Sequence, residues 1–252
     1  MKKVFIHLSI GLLLTVHMVT AQNVKMRDEN LKKALIEQGV DLNNDGEIQV
    51  AEARKVTRLY VNKFNISSLA GIRSFVNLEE FGFYDNNIRE ADLQGLSKLR
   101  AVYGYGNQLQ TLNVNGCTNL QTLYASNNKL SAIDLSGLPN LKELQLHNNN
   151  LNAVDVGGHP LLEECQLNDN MMTAFRFKGS IAIKKLRLDN NLLEELNATP
   201  LKDLEELSVY TNRKMTVLKI YGLRKLKELN ADFCPLTNLN MSGTVNLTKF
   251  TW

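Results

Sequence analysis

Apolar residues recur along this chain at a fixed interval. Leu78, Leu99, Leu120, Leu141, Leu162, Ile183 and Leu204 each lie 21 residues after the last, the step to Leu226 is 22, and that to Leu247 is 21 again. Counted backwards, Val56 opens a 22-residue unit, so nine repeats fill 56–246 and a partial tenth begins at Leu247. With the opening residue as zero, apolar side chains fill offsets 3 and 5, as in LQTLYA, LKELQL and LEELSV. Alternation of that kind marks a short strand with one buried face, and one strand per repeat stacks into a parallel sheet.

Offset 8 is asparagine at Asn86, Asn107, Asn128, Asn149, Asn170, Asn191 and Asn212, and offset 10 is again apolar. An amide placed where the chain turns inward satisfies backbone groups that no strand ladder reaches, so this column is structural. Apolar residues follow at offsets 13, 15 and often 18, with glycine at 17, a spacing that is extended and then tightly turned rather than helical. The side away from the sheet is therefore expected to be thin and poor in helix.

The resulting L-x-x-L-x-L-x-x-N-x-L pattern resembles the leucine-rich-repeat family. The short repeat is similar to that of the internalin-like branch of secreted bacterial proteins. The resemblance implies a solenoid with a curved parallel β-sheet, a largely non-helical convex side, and ends that need covering. It also implies binding, adhesion or host interaction on the concave face.

With offsets 3 and 5 buried, offsets 2, 4 and 6 point outward onto that face. Six of the seven tyrosines fall there: Tyr60, Tyr84, Tyr103, Tyr105, Tyr124 and Tyr210, leaving only Tyr221 elsewhere. Five of them lie in the first four repeats, and His147 and Arg187 occupy the same columns further on. Tyrosine gives large contact area with little entropy to lose and a hydroxyl to bond, so the cluster points to a protein or peptide partner. Tyrosine rings also stack on sugars, which keeps a glycan ligand as the alternative, beside a structural role in a surface assembly. The segment LTKFTW reads as a terminal strand guarded by Lys249, an edge for self-association, or the mark of a truncated gene product.

Residues 22–55 precede the repeats. Met26, Leu31, Ala34 and Leu35 share one side of a predicted helix, with Asp28 as N-cap and Gly39 as terminator. The run from Asp41 to Glu52 then fits the calcium-loop template D-x-[DN]-x-[DN]-G-x5-E. Its ligands would be the side chains of Asp41, Asn43 and Asp45, the carbonyl of Glu47, Gln49 through water, and Glu52. Ile48 holds the apolar position that meets a second loop in paired EF-hands, and the first repeat is expected to receive it. Internalin-like proteins carry an EF-hand-like cap here, so the segment reads as a helix-loop-helix lid. Either a structural calcium ion locks it, with affinity on the order of 10⁻⁵ to 10⁻³ M, or the turn packs without metal.

The N-terminal residues 1–21 pair Lys2 and Lys3 with an apolar run and small residues before Gln22, which reads as a cleaved signal peptide. Its removal leaves 27 basic against 26 acidic residues, so bulk charge points neither to nucleic acid nor to an anionic membrane. No later segment is apolar enough to span a bilayer. Cys117, Cys165 and Cys234 are odd in number and widely spaced, and are expected to be buried free thiols. The chain holds no HExxH, no G-x-S-x-G and no phosphate loop, and this argues for a binder and not an enzyme.

Overall fold

A computed structural model describes residues 22–252; the expected signal peptide lies outside the described residues. Ten three-residue strands, Arg58–Tyr60, Glu80–Gly82, Ala101–Tyr103, Thr122–Tyr124, Glu143–Gln145, Glu164–Gln166, Lys185–Arg187, Glu206–Ser208, Glu228–Asn230 and Lys249–Thr251, form one parallel sheet in chain order. The register never slips: Leu59, Phe81, Val102, Leu123, Leu144, Cys165, Leu186, Leu207, Leu229 and Phe250 stand side by side in one column. A slip of one residue would expose this whole column, which is why burial fixes the register.

The opposite side of each turn carries short strands and little helix, as the repeat predicts. Glu90–Asp92 pairs with Thr111–Asn113, Ala153–Asp155 with Ala174–Arg176, and Glu195–Asn197, Val217–Lys219 and Asn238–Asn240 form a third small sheet. Glycines at the turns, such as Gly116 and Gly158, hold φ near +80°, a region closed to most side chains. A single apolar cluster runs from the cap through the repeats between the two sides.

Asparagine stitches adjacent turns together. Asn149 donates through Nδ2 to the carbonyls of Ala125 and Leu146, each at 3.0 Å, and its Oδ1 accepts the Leu130 amide at 2.9 Å. Asn107, Asn128, Asn170, Asn191 and Asn212 repeat the pattern. At the end of this column Cys234 donates its thiol to the Val209 carbonyl at 3.1 Å. All three cysteines are buried and unbridged, and burial pushes the Cys117 thiol up to about 11 and raises those of Cys165 and Cys234. They stay protonated at neutral pH and serve as packing groups.

The predicted first helix forms with Asp28 as its N-cap, although Met26 lies before it rather than on it. Helix α1, Glu29–Glu37, buries Leu31, Ala34 and Leu35. Asp28 caps it through Oδ1, which accepts from the Asn30 and Leu31 amides at 2.9 and 3.1 Å. The other oxygen accepts from the amide and hydroxyl of Ser67 at 2.7 and 2.6 Å, so one carboxylate starts the helix and ties it to the first repeat. Burial alone would raise this acid, but those hydrogen bonds outweigh it and hold Asp28 below the usual carboxylate range.

Ile48 departs from expectation in one respect. Its side chain joins the common core, yet its backbone partner is the segment before α1: Val24 donates to Ile48 at 2.8 Å and Val50 donates to Gln22 at 2.8 Å. The chain supplies its own antiparallel bridge, Asn23 to Gln49, where a second loop would otherwise pair, because the backbone groups of an extended residue need partners.

Candidate functional site

The outward columns of the ten-stranded sheet are where the fold leaves side chains free to act. In the first four strands they are aromatic. Tyr60 and Tyr103 stack at 6.4 Å between centroids with 20° between planes, although Gly82 stands between them in the register. Glycine makes the contact: a Cβ at Gly82 would lie 2.4 Å from Tyr60 Cδ1, so the ring lies across the bare backbone and reaches the next strand but one. Tyr124 meets Tyr103 edge-on at 5.6 Å, and Tyr84 stacks on Tyr105 at 4.5 Å and 9°.

Glutamates from the neighbouring column hold the phenols in place. Tyr60 donates its hydroxyl to Glu80 at 2.6 Å, and Tyr124 donates to Glu143. The Glu80 carboxylate, aided by burial, pushes the Tyr60 phenol up to about 12. Burial and Glu143 raise Tyr124 as well, and burial raises Tyr103 and Tyr105. The rings are half-buried against one another, with Tyr60 the most open at 37%.

The remaining predicted positions fall apart from this group. His147 is half-buried two residues beyond the Glu143–Gln145 strand, and burial lowers its imidazole; Asp169 opposes that shift and Arg187 reinforces it. Arg187 is exposed and donates through Nε to Asp189 at 3.3 Å. Tyr210 meets Phe233 edge-on at 5.4 Å. The roles of Gly82, Glu80, Glu143 and Phe233 escape a column-by-column reading, since a bare glycine or a charged residue carries no sign there of what leans on it.

In the cap loop, Asp41 accepts the amides of Asp45 and Gly46 at 3.3 and 2.9 Å, and Asn43 Oδ1 accepts that of Asp45 at 3.0 Å. The side-chain amides of Asn43 and Gln49 both donate to the Asp45 carboxylate, at 3.0 and 2.9 Å. Glu52 folds back onto the Leu42 and Gln49 amides at 2.7 and 2.8 Å. Glu47 pairs outward with Lys32 at 2.5 Å, which leaves its carbonyl as the only ligand it would offer. The side chains of Asp41, Asn43, Asp45 and Gln49 are thus gathered in one turn, a donor set suited to a hard cation. Among the described residues no group of three or more acidic, histidine or cysteine side chains is placed to hold a metal ion.

The family described as Leucine Rich repeats (2 copies) matches residues 118–156, the stretch holding Asn128 and Asn149. No curated protein matches the chain in sequence. Among solved structures, internalin C2 of Listeria monocytogenes superposes with a TM-score of 0.62 at 19% identity, over 88% of this chain and 93% of that one. YopM of Yersinia enterocolitica gives 0.61 at 23% identity, over 78% of this chain and 46% of its own. The leucine-rich-repeat protein LIC12759 of Leptospira interrogans gives 0.57 at 22% identity, over 75% and 58%. The chain therefore spans less than two thirds of the last two, and at these identities the likeness is one of fold. Among the described residues no helix is long and apolar enough to cross a membrane. With an unbroken register, an asparagine ladder and these neighbours, the chain has the fold of a leucine-rich-repeat solenoid.

Proposed function

We propose that the chain is a secreted or cell-surface binding module that engages a protein or peptide through the tyrosine-rich concave face of its sheet. Leucine-rich-repeat solenoids typically serve as binding modules for protein partners rather than as enzymes. The observation that carries the reading is the stacked group of Tyr60, Tyr103 and Tyr124 beside the Tyr84–Tyr105 pair. Rings already held by each other and by Glu80 and Glu143 lose little entropy on contact, so their area converts efficiently into affinity. Replacing Tyr103 and Tyr105 together by alanine should weaken a partner captured from a surface-protein pull-down by about 100-fold or more, judged from hot-spot aromatic truncations. The melting temperature should change little. Undiminished capture by that double variant would refute the patch. Export follows from the leader, and the exported chain should begin at Gln22 by N-terminal sequencing; retention of Met1 would oppose it.

Calcium in the cap loop belongs to the same reading. Asp41, Asn43, Asp45, Gln49, Glu52 and the Glu47 carbonyl would hold the ion, which supplies charge neutralisation for the acidic turn. These side chains bond to one another and to the loop's own backbone, while the Glu47–Lys32 pair ties the loop to α1 and its backbone pairs with Gln22 and Val24. A chelator should lower the melting temperature by several degrees, and Asp41→Ala should remove the difference. Identical melts of the unmodified protein with calcium and with chelator would sink this part alone.

A further inference from the structure

The last strands of the sheet present a different surface. In the column filled by Tyr60, Tyr103 and Tyr124, the later residues are Arg187, Ser208, Asn230 and Thr251. The shorter side chains of Ser208, Asn230 and Thr251 leave a trough of about 390 Å³, with Arg187 on its wall. A second depression of about 260 Å³ adjoins it and shares Arg187, Ser208 and Asn230 with it. Tyr210 lines this second depression, and Phe233 stands against Tyr210 with the two rings at 86°.

Phe233 sits where the backbone suits it least. The same position in the preceding repeats is Lys63, Asp85, Gly106, Asn127, Asn148, Asp169, Asn190 and Thr211, all with φ between +50° and +67°, and Phe233 has φ +60°. Small polar residues and glycine tolerate this left-handed region, whereas a bulky aromatic side chain is strained there. Phe233 is also 68% exposed, so no core packing offsets the strain. Both features are explained if the ring's partner is a ligand.

The charges around the trough select the ligand's chemistry. Lys185 lies between Glu164 and Glu206 at 3.4 and 3.9 Å, Arg187 bonds Asp189 at 3.3 Å, and Lys249 bonds Glu228 at 2.5 Å. Three cations thus face four carboxylates in these pairs, and Asp169 beside them is held only by the Asn168 and Asn190 amides, so the face leans acidic, repels an acidic peptide and offers carboxylate oxygens as acceptors for hydroxyls. Asn168, Asp169, Asn190 and Asn230 line the second depression and form amide–carboxylate pairs there, the Asn168 and Asn190 amides donating to Asp169, while Asn168 Oδ1 is a buried acceptor with no partner among the described residues. Adjacent hydroxyls on a pyranose match such pairs, and its C–H face matches an aromatic lip.

We propose that this trough binds a neutral oligosaccharide, with one ring against Tyr210 and Phe233 and its hydroxyls on the polar floor. The site is separate from the tyrosine patch and does not depend on it. Isothermal titration of the full chain with maltohexaose, cellohexaose, xylohexaose and chitohexaose of N-acetylglucosamine, beside hexalysine and hexaglutamate, tests it. At least one of the four sugars should bind at millimolar concentration or below, and neither charged peptide should. Phe233→Asn should weaken that sugar by about tenfold while leaving the melting temperature equal or higher, since asparagine suits the backbone there. Tyr210→Leu should show the same loss, and the Tyr103 and Tyr105 double variant should bind the sugar unchanged. Failure of all four sugars, binding of a charged peptide in their place, unchanged affinity in the Phe233 or Tyr210 variant, or loss in the Tyr103 and Tyr105 variant would each overturn the proposal.

Discussion

The first four strands of the sheet and the last four share a backbone, a register and an apolar inward column, buried as far as Leu229 and exposed at Phe250, yet they present opposite kinds of surface. At the N-terminal end the outward residues are tyrosines packed on one another. Toward the C-terminus they are serine, asparagine and paired charges around a trough. The difference is possible because alternation along a strand separates the two sets of side chains completely. Inward positions set the fold, and outward ones vary without disturbing it. Glycine extends this freedom at the aromatic end on both sides of the sheet: Gly82 lies under Tyr60 outside, and Gly104, where a Cβ would come within 2.5 Å of Phe83, lies under Phe83 inside.

The comparison rests on a core that serves both surfaces equally, and that can be broken. Asn149→Ala removes the donors to Ala125 and Leu146 and the acceptor for Leu130 in the middle of the solenoid. Orphaned buried backbone groups should cost about 3 kcal/mol, read from chemical denaturation, and both surfaces should lose their ligands in step with unfolding. Loss at one surface alone would mean that the halves are independently stable. The Tyr103 and Tyr105 double variant is the next largest effect and should act on one surface only. Gly82→Ala should act more finely still. The added carbon must push the Tyr60 ring aside, separating it from Tyr103 and Glu80 and weakening the protein partner by about fivefold. The same variant should let the Tyr60 phenol ionise at lower pH. In the parent its raised value keeps it protonated, and the Glu80 bond intact, up to about pH 12; the bond's contribution is complete below the free phenol's range near pH 10 and fades as pH rises above it. Ultraviolet titration of the tyrosines checks this, and coincident curves for parent and variant would show that the glycine does not position the ring.

Much of this arrangement is legible in the chain itself. The interval from Leu78 to Leu204, the asparagine column and the glycine at offset 17 determine the solenoid, because each is a local requirement repeated with the same period. The outward placement of Tyr60, Tyr84, Tyr103, Tyr105 and Tyr124 follows from the same alternation, and the Asp28 cap from its position before an apolar helix face. Other features depend on contacts between distant parts of the chain. Nothing in the cap's own sequence says that Gln22 and Val24 pair with the backbone of Val50 and Ile48, or that Asp28 reaches Ser67. Tyr60 reaches Tyr103 only because a glycine from another repeat leaves the space, and Phe233 becomes an exposed aromatic in a left-handed turn only once the repeats are stacked. Periodicity fixes which way a residue points, since that is a property of one strand. What it meets there is decided by its neighbours in the next turns of the solenoid, and only tertiary packing brings those together.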